Sequence, residues 1–207
     1  MRTDEYLKRR KLPRHLRKQS DSERPFTYVI RPAEMRDIED IREIYNYYVT
    51  NSVVTFDEKR WTRRQWVDKF QHLRKLGLPF LVAEAGNGQV LGYALASPWS
   101  GKSSFRYTAE NSIYLGPGAM GKGLGRALLV ALLDACEEFG LRQLVAVISD
   151  SGAEASIALH EKLGFEEVGR MGRVGFKFDR WLGVVHLQKQ LTPKAKQEKR
   201  GLFGRRR

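Results

Sequence analysis

The sequence has a single cysteine, Cys136, in 207 residues, which excludes a disulfide framework and a thiolate zinc cluster. Cys136 sits within a helical pattern and reads as a packed thiol rather than a nucleophile. The four histidines, at 15, 72, 160 and 186, show no HExxH or other ligand spacing, so no metal site is expected. Ser156 and His160 share a helix face, but no nucleophile elbow accompanies them to suggest a serine hydrolase. No apolar run approaches the ~20 residues a membrane span requires. The first residues also lack the apolar stretch of a signal peptide, so the expectation is a cytoplasmic protein without a membrane contact. No internal repeat is visible.

Charge is abundant but unevenly placed. The net charge is +13. Residues 1–25 hold nine Lys/Arg against four Asp/Glu, and residues 189–207 hold eight against one. The stretch between them has 20 basic and 19 acidic residues. The expected organisation is a basic N-terminal extension (1–25), one globular domain (26–191) and a basic C-terminal tail (192–207). Such tails suit an anionic surface such as RNA or a ribosome, and they equally suit disordered, solubilising ends. Asp4, Glu5, Asp21 and Glu23 break the acid-poor pattern of a mitochondrial presequence.

Periodicity gives the elements. A short basic helix is expected within 5–19, and "FTYVIRPA" alternates as an early or edge strand. Met35, Ile38, Ile41, Ile44, Tyr45 and Tyr48 recur at helical spacing over 33–49. Thr62 and Gln65 form a capping-box pair ahead of Trp66, Phe70 and Leu73, and Gly77 closes that helix. "FLVAEA" and "QVLGYALA" joined through Asn87-Gly88 predict a hairpin, with Gly92 marking a bulge or a close approach. A strand is expected over 105–115. A helix follows with Leu124, Leu128, Ala131, Leu132 and Ala135 as its stripe, then the apolar strand "QLVAVI". The last elements are a helix over 154–163 with Ser151 and Glu154 as a capping box, and strands at 165–168 and 184–187. The sum is an α/β protein with a mixed sheet.

The densest signal is "SIYLGPGAMGKGLGR", residues 112–126. It reads as strand, glycine loop and helix N-terminus. Glycines let a backbone approach a bulky anion, and the first-turn N–H groups of a helix lack internal partners. A phosphate or pyrophosphate fits there, with Lys122 adding charge; a plain tight turn is the other reading. The Walker ending and the dinucleotide unit are both missing. Glu110 lies mid-strand on the face shared by Ser112 and Tyr114. Burial there would raise its pKa and suit it to accept a proton, unless it pairs with a neighbour such as Arg106. His160 titrates near neutrality when free, although a lone helical histidine is commonly just packed.

Over about residues 27–191 the chain resembles the GCN5-related N-acetyltransferase (GNAT) superfamily, within it the phosphinothricin and methionine-sulfone N-acetyltransferase branch. The resemblance rests on "IREIYNYYVTNSVVTF", "FLVAEAGNGQVLGYALASPW", "TAENSIYL", "GKGLGRALLVALLDACEEFGLRQLVAVI", "ASIALHEKLGFEEVG" and "VGFKFDRWLGVVHLQKQL". It implies the GNAT fold, a mixed central sheet with a splayed strand pair and helices on both faces. It also implies an acetyl-coenzyme A-dependent N-acetyltransferase acting on the primary amine of an amino acid or amino acid analogue of the phosphinothricin or methionine-sulfone type, and a homodimer. The coenzyme would lie on the Ile113, Tyr114 and Leu115 strand, on Met120, Gly121, Lys122, Gly123, Leu124, Gly125 and Arg126, and near Ser156. Glu110 would be the base and His160 its assistant or the acid for the leaving thiolate. Tyr48, Phe56 and Trp99 would wall the acceptor, with Lys102 and Arg106 on its carboxylate. The chain departs from the family pattern at Met120 (Gln or Arg), Ala153 (Asn), Lys102 (Arg), Phe105 (Tyr), Tyr107 (Trp) and Gly183 (an acid). The alternative is a ribosome- or RNA-associated acetyltransferase, or a binding protein on the same scaffold.

Overall fold

The computed structural model describes residues 26–194; the helix expected within 5–19 and nearly all of the C-terminal tail lie outside that range. The elements run β1 (Tyr28–Pro32), α1 (Ile38–Asn51), α2 (Arg63–Leu76), β2 (Phe80–Ala85), β3 (Val90–Pro98), β4 (Thr108–Leu115), α3 (Leu124–Phe139), β5 (Gln143–Ser149), α4 (Glu154–Lys162), β6 (Glu166–Lys177) and β7 (Arg180–Gln190). The seven strands form one sheet in the order β1-β2-β3-β4-β5-β7-β6. β4 and β5 run parallel, while the other neighbours are antiparallel.

Side-chain size sorts the two faces. Along β3, Tyr93 and Leu95 point to one side while Ala94 and Ala96 point to the other, as the two-residue period of a strand requires. The large residues join Ile38, Ile41, Ile44, Tyr45, Trp66, Phe70 and Leu73 of α1 and α2. The alanines lie under Leu124, Leu128, Leu129 and Leu132 of α3, whose stripe is fully buried. Each such leucine contributes about 1.5–3 kcal/mol by leaving water. Small residues on the sheet let that helix sit close. The expected α/β architecture with helices on both faces is the one observed.

The strand pair at the centre separates. β4 and β5 pair only from Thr108–Gln143 to Glu110–Val145, yet β4 continues to Leu115 and β5 to Ser149. Beyond Glu110 the two diverge, and the β5-facing backbone edge of β4 loses its ladder. Unpaired backbone groups need another partner, so the gap is suited to an extended ligand.

Several boundaries differ from expectation. The first helix begins at Ile38, and Met35 lies in a 3-10 turn, exposed. Asp37 accepts from the Glu34 backbone N–H at 2.7 Å and from Arg31 at 2.7 Å, which fixes the turn. The Thr62–Gln65 capping box and the left-handed Gly77 stop form as expected. The Ser151–Glu154 box does not: Ala153 is the N-cap of α4, and Glu154 accepts from Gly152 N instead. The strand expected from Phe105 begins at Thr108, because Ser103–Phe105 makes a 3-10 turn. The final strands are far longer than 165–168 and 184–187. β6 is an edge strand exposed along almost its whole length, so it carries no burial alternation to read. Its hairpin turns at Phe178 and Asp179, both at positive φ, without the Asn-Gly signature.

Candidate active site

Two cavities meet on β4. The first, about 370 Å³, lies along the diverging edge and is lined by Ile113, Leu115, Gly121, Gly125 and Ser156 among others. At its end Gly121 and Gly123 take φ of 73° and 77°, a region that L side chains rarely occupy. A Cβ on either glycine would meet nothing within 4 Å, so the loop is open on its outer side. Gly123 is the N-cap of α3, and no side chain caps that helix. Its first-turn N–H groups are therefore available to an anion. A diverging strand edge leading to an uncapped helix start fits a pantetheine arm followed by a pyrophosphate.

The expected coenzyme residues divide by how they can act. Ile113, Tyr114, Leu115, Met120, Gly121, Gly125 and Ser156 line the cavity. Leu124 is fully buried in the core, so only its backbone can serve a ligand. Lys122 rests its ammonium over the Phe26 ring at 4.6 Å, and Arg126 is exposed and lines neither cavity. Met120 is half exposed, and its Sδ is 3.8 Å from the Tyr48 hydroxyl, which donates to Leu115 O at 2.7 Å. Tyr48 thus lines this first cavity, where the coenzyme is expected, and not the one on the other face of β4.

His160 is buried beneath this cavity. Its Nδ1 lies 2.7 Å from Ser156 O, and its Nε2 lies 2.9 Å from Asn111 Nδ2. A carbonyl can only accept, so Nδ1 carries the proton and Nε2 accepts from the amide. Burial lowers the imidazole pKa, partly offset by the Ser156 bond. A neutral ring with both nitrogens engaged ties α4 to β4 at the point where β4 and β5 part. That geometry suits holding the opening more than relaying a proton. Asn111 Oδ1 is buried without a partner.

The second cavity, about 290 Å³, lies on the α1/α2 face and is lined by Tyr45, Phe56, Asp57, Trp66, Lys69 and Glu110, with Ser112 and Tyr114 shared with the first. Glu110 lines both. Burial raises its pKa, opposed by the charges of Lys69 and His186. The alternative pairing with Arg106 is not formed: Arg106 is exposed, stacks on Tyr107 at 4.6 Å and donates to Ser103 O at 3.3 Å. Lys102 is exposed too, and neither residue lines either cavity. Trp99 lines a third hollow beside Phe105, Met171 and His186. Phe56 alone of the three expected wall residues reaches the second cavity. It is wedged against Gly175 of β6, where a Cβ would fall 2.3 Å from its ring. Lys177 donates to Ser52 O and Thr55 O at 2.8 Å each, fastening the same loop.

Sequence reasoning missed Asp57, Lys69 and Asn111. Lys69 had a signal: it falls at i+3 from Trp66 on the buried stripe that continues to Phe70 and Leu73. Gly183, where the family pattern has an acid, also has a local cause. The Asp150 carboxylate receives Gly183 N at 2.9 Å and would collide with any Cβ there. Among the described residues no group of His, Cys, Asp and Glu could hold a metal ion, and no helix is long and apolar enough to cross a membrane.

Comparison with known proteins points one way. The profile of the Acetyltransferase (GNAT) family matches residues 38–165. The L-methionine sulfoximine/L-methionine sulfone acetyltransferase of Salmonella typhimurium is 40% identical over 166 residues, covering 80% of this chain and 96% of the relative. The phosphinothricin acetyltransferase of Sinorhizobium meliloti, solved in complex with AcCoA, superposes with a TM-score of 0.76 at 42% identity, covering 80% and 89%. A ribosomal-protein-alanine N-acetyltransferase from Brucella melitensis gives a TM-score of 0.76 at 38% identity, covering 79% and 98%.

Proposed function

The chain belongs to the acetyltransferase (GNAT) family, and from that premise we propose that its acceptor is the primary amine of a free amino acid or analogue, of the phosphinothricin or methionine-sulfone type. It is an acetyl-coenzyme A-dependent N-acetyltransferase. The acceptor reading is carried by the position of Glu110, a residue that lines both the first cavity and the small one beside it.

Acetyl-coenzyme A supplies an activated thioester carbonyl when bound. The residues of the chain supply the rest. The unpaired backbone edge beyond Glu110 offers N–H donors to a carbonyl oxygen in the opening. Glu110, made more basic by burial, takes the proton that an ammonium must lose before it can attack. His160 acts as a positioning residue, holding Asn111 and hence β4. The 290 Å³ of the second cavity match a small amine better than a drug-sized or polymeric ligand.

Four finer assignments belong to the same proposal. Exposed Val168, Met171, Val174, Phe176 and Trp181 on β6 and β7 support a homodimer. A cytoplasmic location accords with the coenzyme requirement. The domain occupies 26–191 between basic extensions. Contact of those extensions with a ribosome or RNA is the second reading, supported by their excess charge.

An acetyl-coenzyme A consumption screen across free amino acids, their sulfone and phosphinate analogues, and short peptides tests the acceptor. Turnover with the free analogues is expected. Turnover with peptides alone would transfer the assignment to a protein N-terminus.

A further inference from the structure

The second cavity is lined by a lysine, Lys69, that has no counterion among the described residues. Lys69 projects from α2, with its ammonium 5.4 Å from the Trp61 ring centre and 5.6 Å from that of Trp66. Among the described residues it makes no hydrogen bond and no ion pair. An ammonium carries three donors, and withdrawing it from water costs free energy unless a partner replaces the water. Two indole faces recover only part of that.

The nearby carboxylates do not fill the role. Asp57 accepts from Trp61 Nε1 at 2.7 Å and from the Tyr45 hydroxyl. Glu110 lines the same cavity and feels the charge of Lys69, yet the two form no ion pair. The cavity therefore has a carboxyl group and an amino group lining a common space without pairing, and burial lowers the Lys69 pKa against the opposing charges of Glu110 and Asp57. Two more polar atoms of its lining residues, Trp66 Nε1 and Tyr93 Oη, are buried without partners. The first can only donate, which tilts the local balance toward donors and toward an oxygen-rich ligand. Lys102 and Arg106 remain outside on the surface.

We propose that Lys69 is the anion anchor of the acceptor site, binding a carboxylate or phosphinate oxygen of the acceptor while its amine sits at Glu110. The assignment rests on the acetyltransferase reading of that site. It makes the enzyme selective for zwitterionic acceptors, whose paired charges mirror those of Glu110 and Lys69. The anchor comes from a helix, not from the surface loop to which the family resemblance assigned it.

The test compares methionine sulfone, its carboxamide and norleucine as acceptors for wild type, Lys69→Met and Lys69→Arg. Wild type should favour the acid over the amide. Lys69→Met should reduce that kcat/KM ratio by roughly 10–100-fold, the range of a lost charge-assisted hydrogen bond. Lys69→Arg should retain most of it. If norleucine loses as much as the sulfone, the carboxylate is the group held; a loss confined to the sulfone, with the acid-to-amide ratio unchanged, shows that a neutral side-chain oxygen is held instead and overturns the anion anchor. Unchanged acid-to-amide and sulfone-to-norleucine ratios in Lys69→Met would overturn the proposal. Acetyl-coenzyme A binding and thermal unfolding confirm that each variant is folded.

A second measurement separates this inference from the acetylation reading. 4-(Methylsulfonyl)butanoate, which is methionine sulfone without its amine, cannot be acetylated. Its binding by titration calorimetry to wild type, weakened roughly tenfold or more in Lys69→Met, supports the anchor even if no amino acid is turned over. Absence of binding to wild type, or equal binding to both, overturns it even if acetylation proceeds.

Discussion

The two sides of β4 are made of different material. On the coenzyme side, a strand edge, a glycine loop and a helix start follow one another within residues 111–125, and the grip offered is backbone. On the side proposed for the acceptor, Tyr45, Asp57, Lys69, Tyr93 and Glu110 come from five separate stretches, and the grip offered is side chain. A backbone site tolerates exchange of side chains such as Met120, because the donors are main-chain N–H groups. A side-chain site changes specificity with single residues. The same sheet can therefore keep its cosubstrate while its acceptor changes, and Glu110, lining both cavities, joins the two.

The sharpest break of that contrast is Glu110→Gln, which should affect transfer without affecting the coenzyme grip. Turnover should fall by ~10²–10⁴, while acetyl-coenzyme A affinity by calorimetry stays nearly constant. Unchanged turnover with a good acceptor would remove Glu110 from catalysis. The substitution should also stabilise the fold. The folded pKa of Glu110 is raised, so its charge opposes folding once pH exceeds the unfolded value near 4.5. Below that pH both states are protonated and the variant gains nothing. Thermal unfolding across pH 4 to 8 should show a difference that opens as pH rises.

Next in size is Gly123→Val, directed at the backbone side. The φ of 77° is strained for a β-branched residue, and the new side chain enters the open space outside the loop. Acetyl-coenzyme A affinity should fall about tenfold or more, with the acid-to-amide preference of the residual activity preserved. A changed acceptor preference would show that the two sides are less separate than their construction suggests.

How far each side was legible in the sequence follows from the same difference. The glycine loop, the mid-strand carboxylate and the two helix faces were readable because contiguous residues create them. Lys69 was readable in principle, as a charge inside the stripe of Trp66, Phe70 and Leu73, but its partners across the cavity are set by tertiary packing. Asp57 and Tyr45 could not be joined without knowing how the loop after α1 folds back. The length of β6 was hidden because an exposed edge strand imposes no alternation. Lys102 and Arg106 were expected in the site by resemblance, and no local pattern could show that the 3-10 turn at Ser103–Phe105 leaves both outside.

A moderate effect is expected from His160→Gln. Glutamine can still reach a hydrogen-bond partner, so a positioning role should survive at a loss of roughly 3–30-fold in kcat. The pH dependence of kcat should keep its shape, since the neutral ring moves no proton in this reading. Disappearance of a titration step in the variant would restore His160 as an acid or base.

The smallest effect is expected from Lys102→Ala combined with Arg106→Ala. The resemblance places these two residues on the acceptor carboxylate, whereas the structure leaves both exposed, with Arg106 stacked on Tyr107 and hydrogen-bonded to Ser103 O. Exposed cations of this kind contribute little to a site they do not line, because solvent and salt screen them. The double variant should keep kcat/KM for methionine sulfone within about threefold of wild type, the scale of a surface change of ~0.5 kcal/mol. Lys69→Met in the same assay should lose far more. The order of the two variants is the decisive quantity. If the surface pair costs more than tenfold in KM while Lys69→Met is neutral, the loop at 102–106 closes over the acceptor during turnover and takes the anion there. The acceptor side would then be built by a moving loop instead of a fixed helix, and the contrast between the two sides of β4 would become one between a rigid grip and a mobile one.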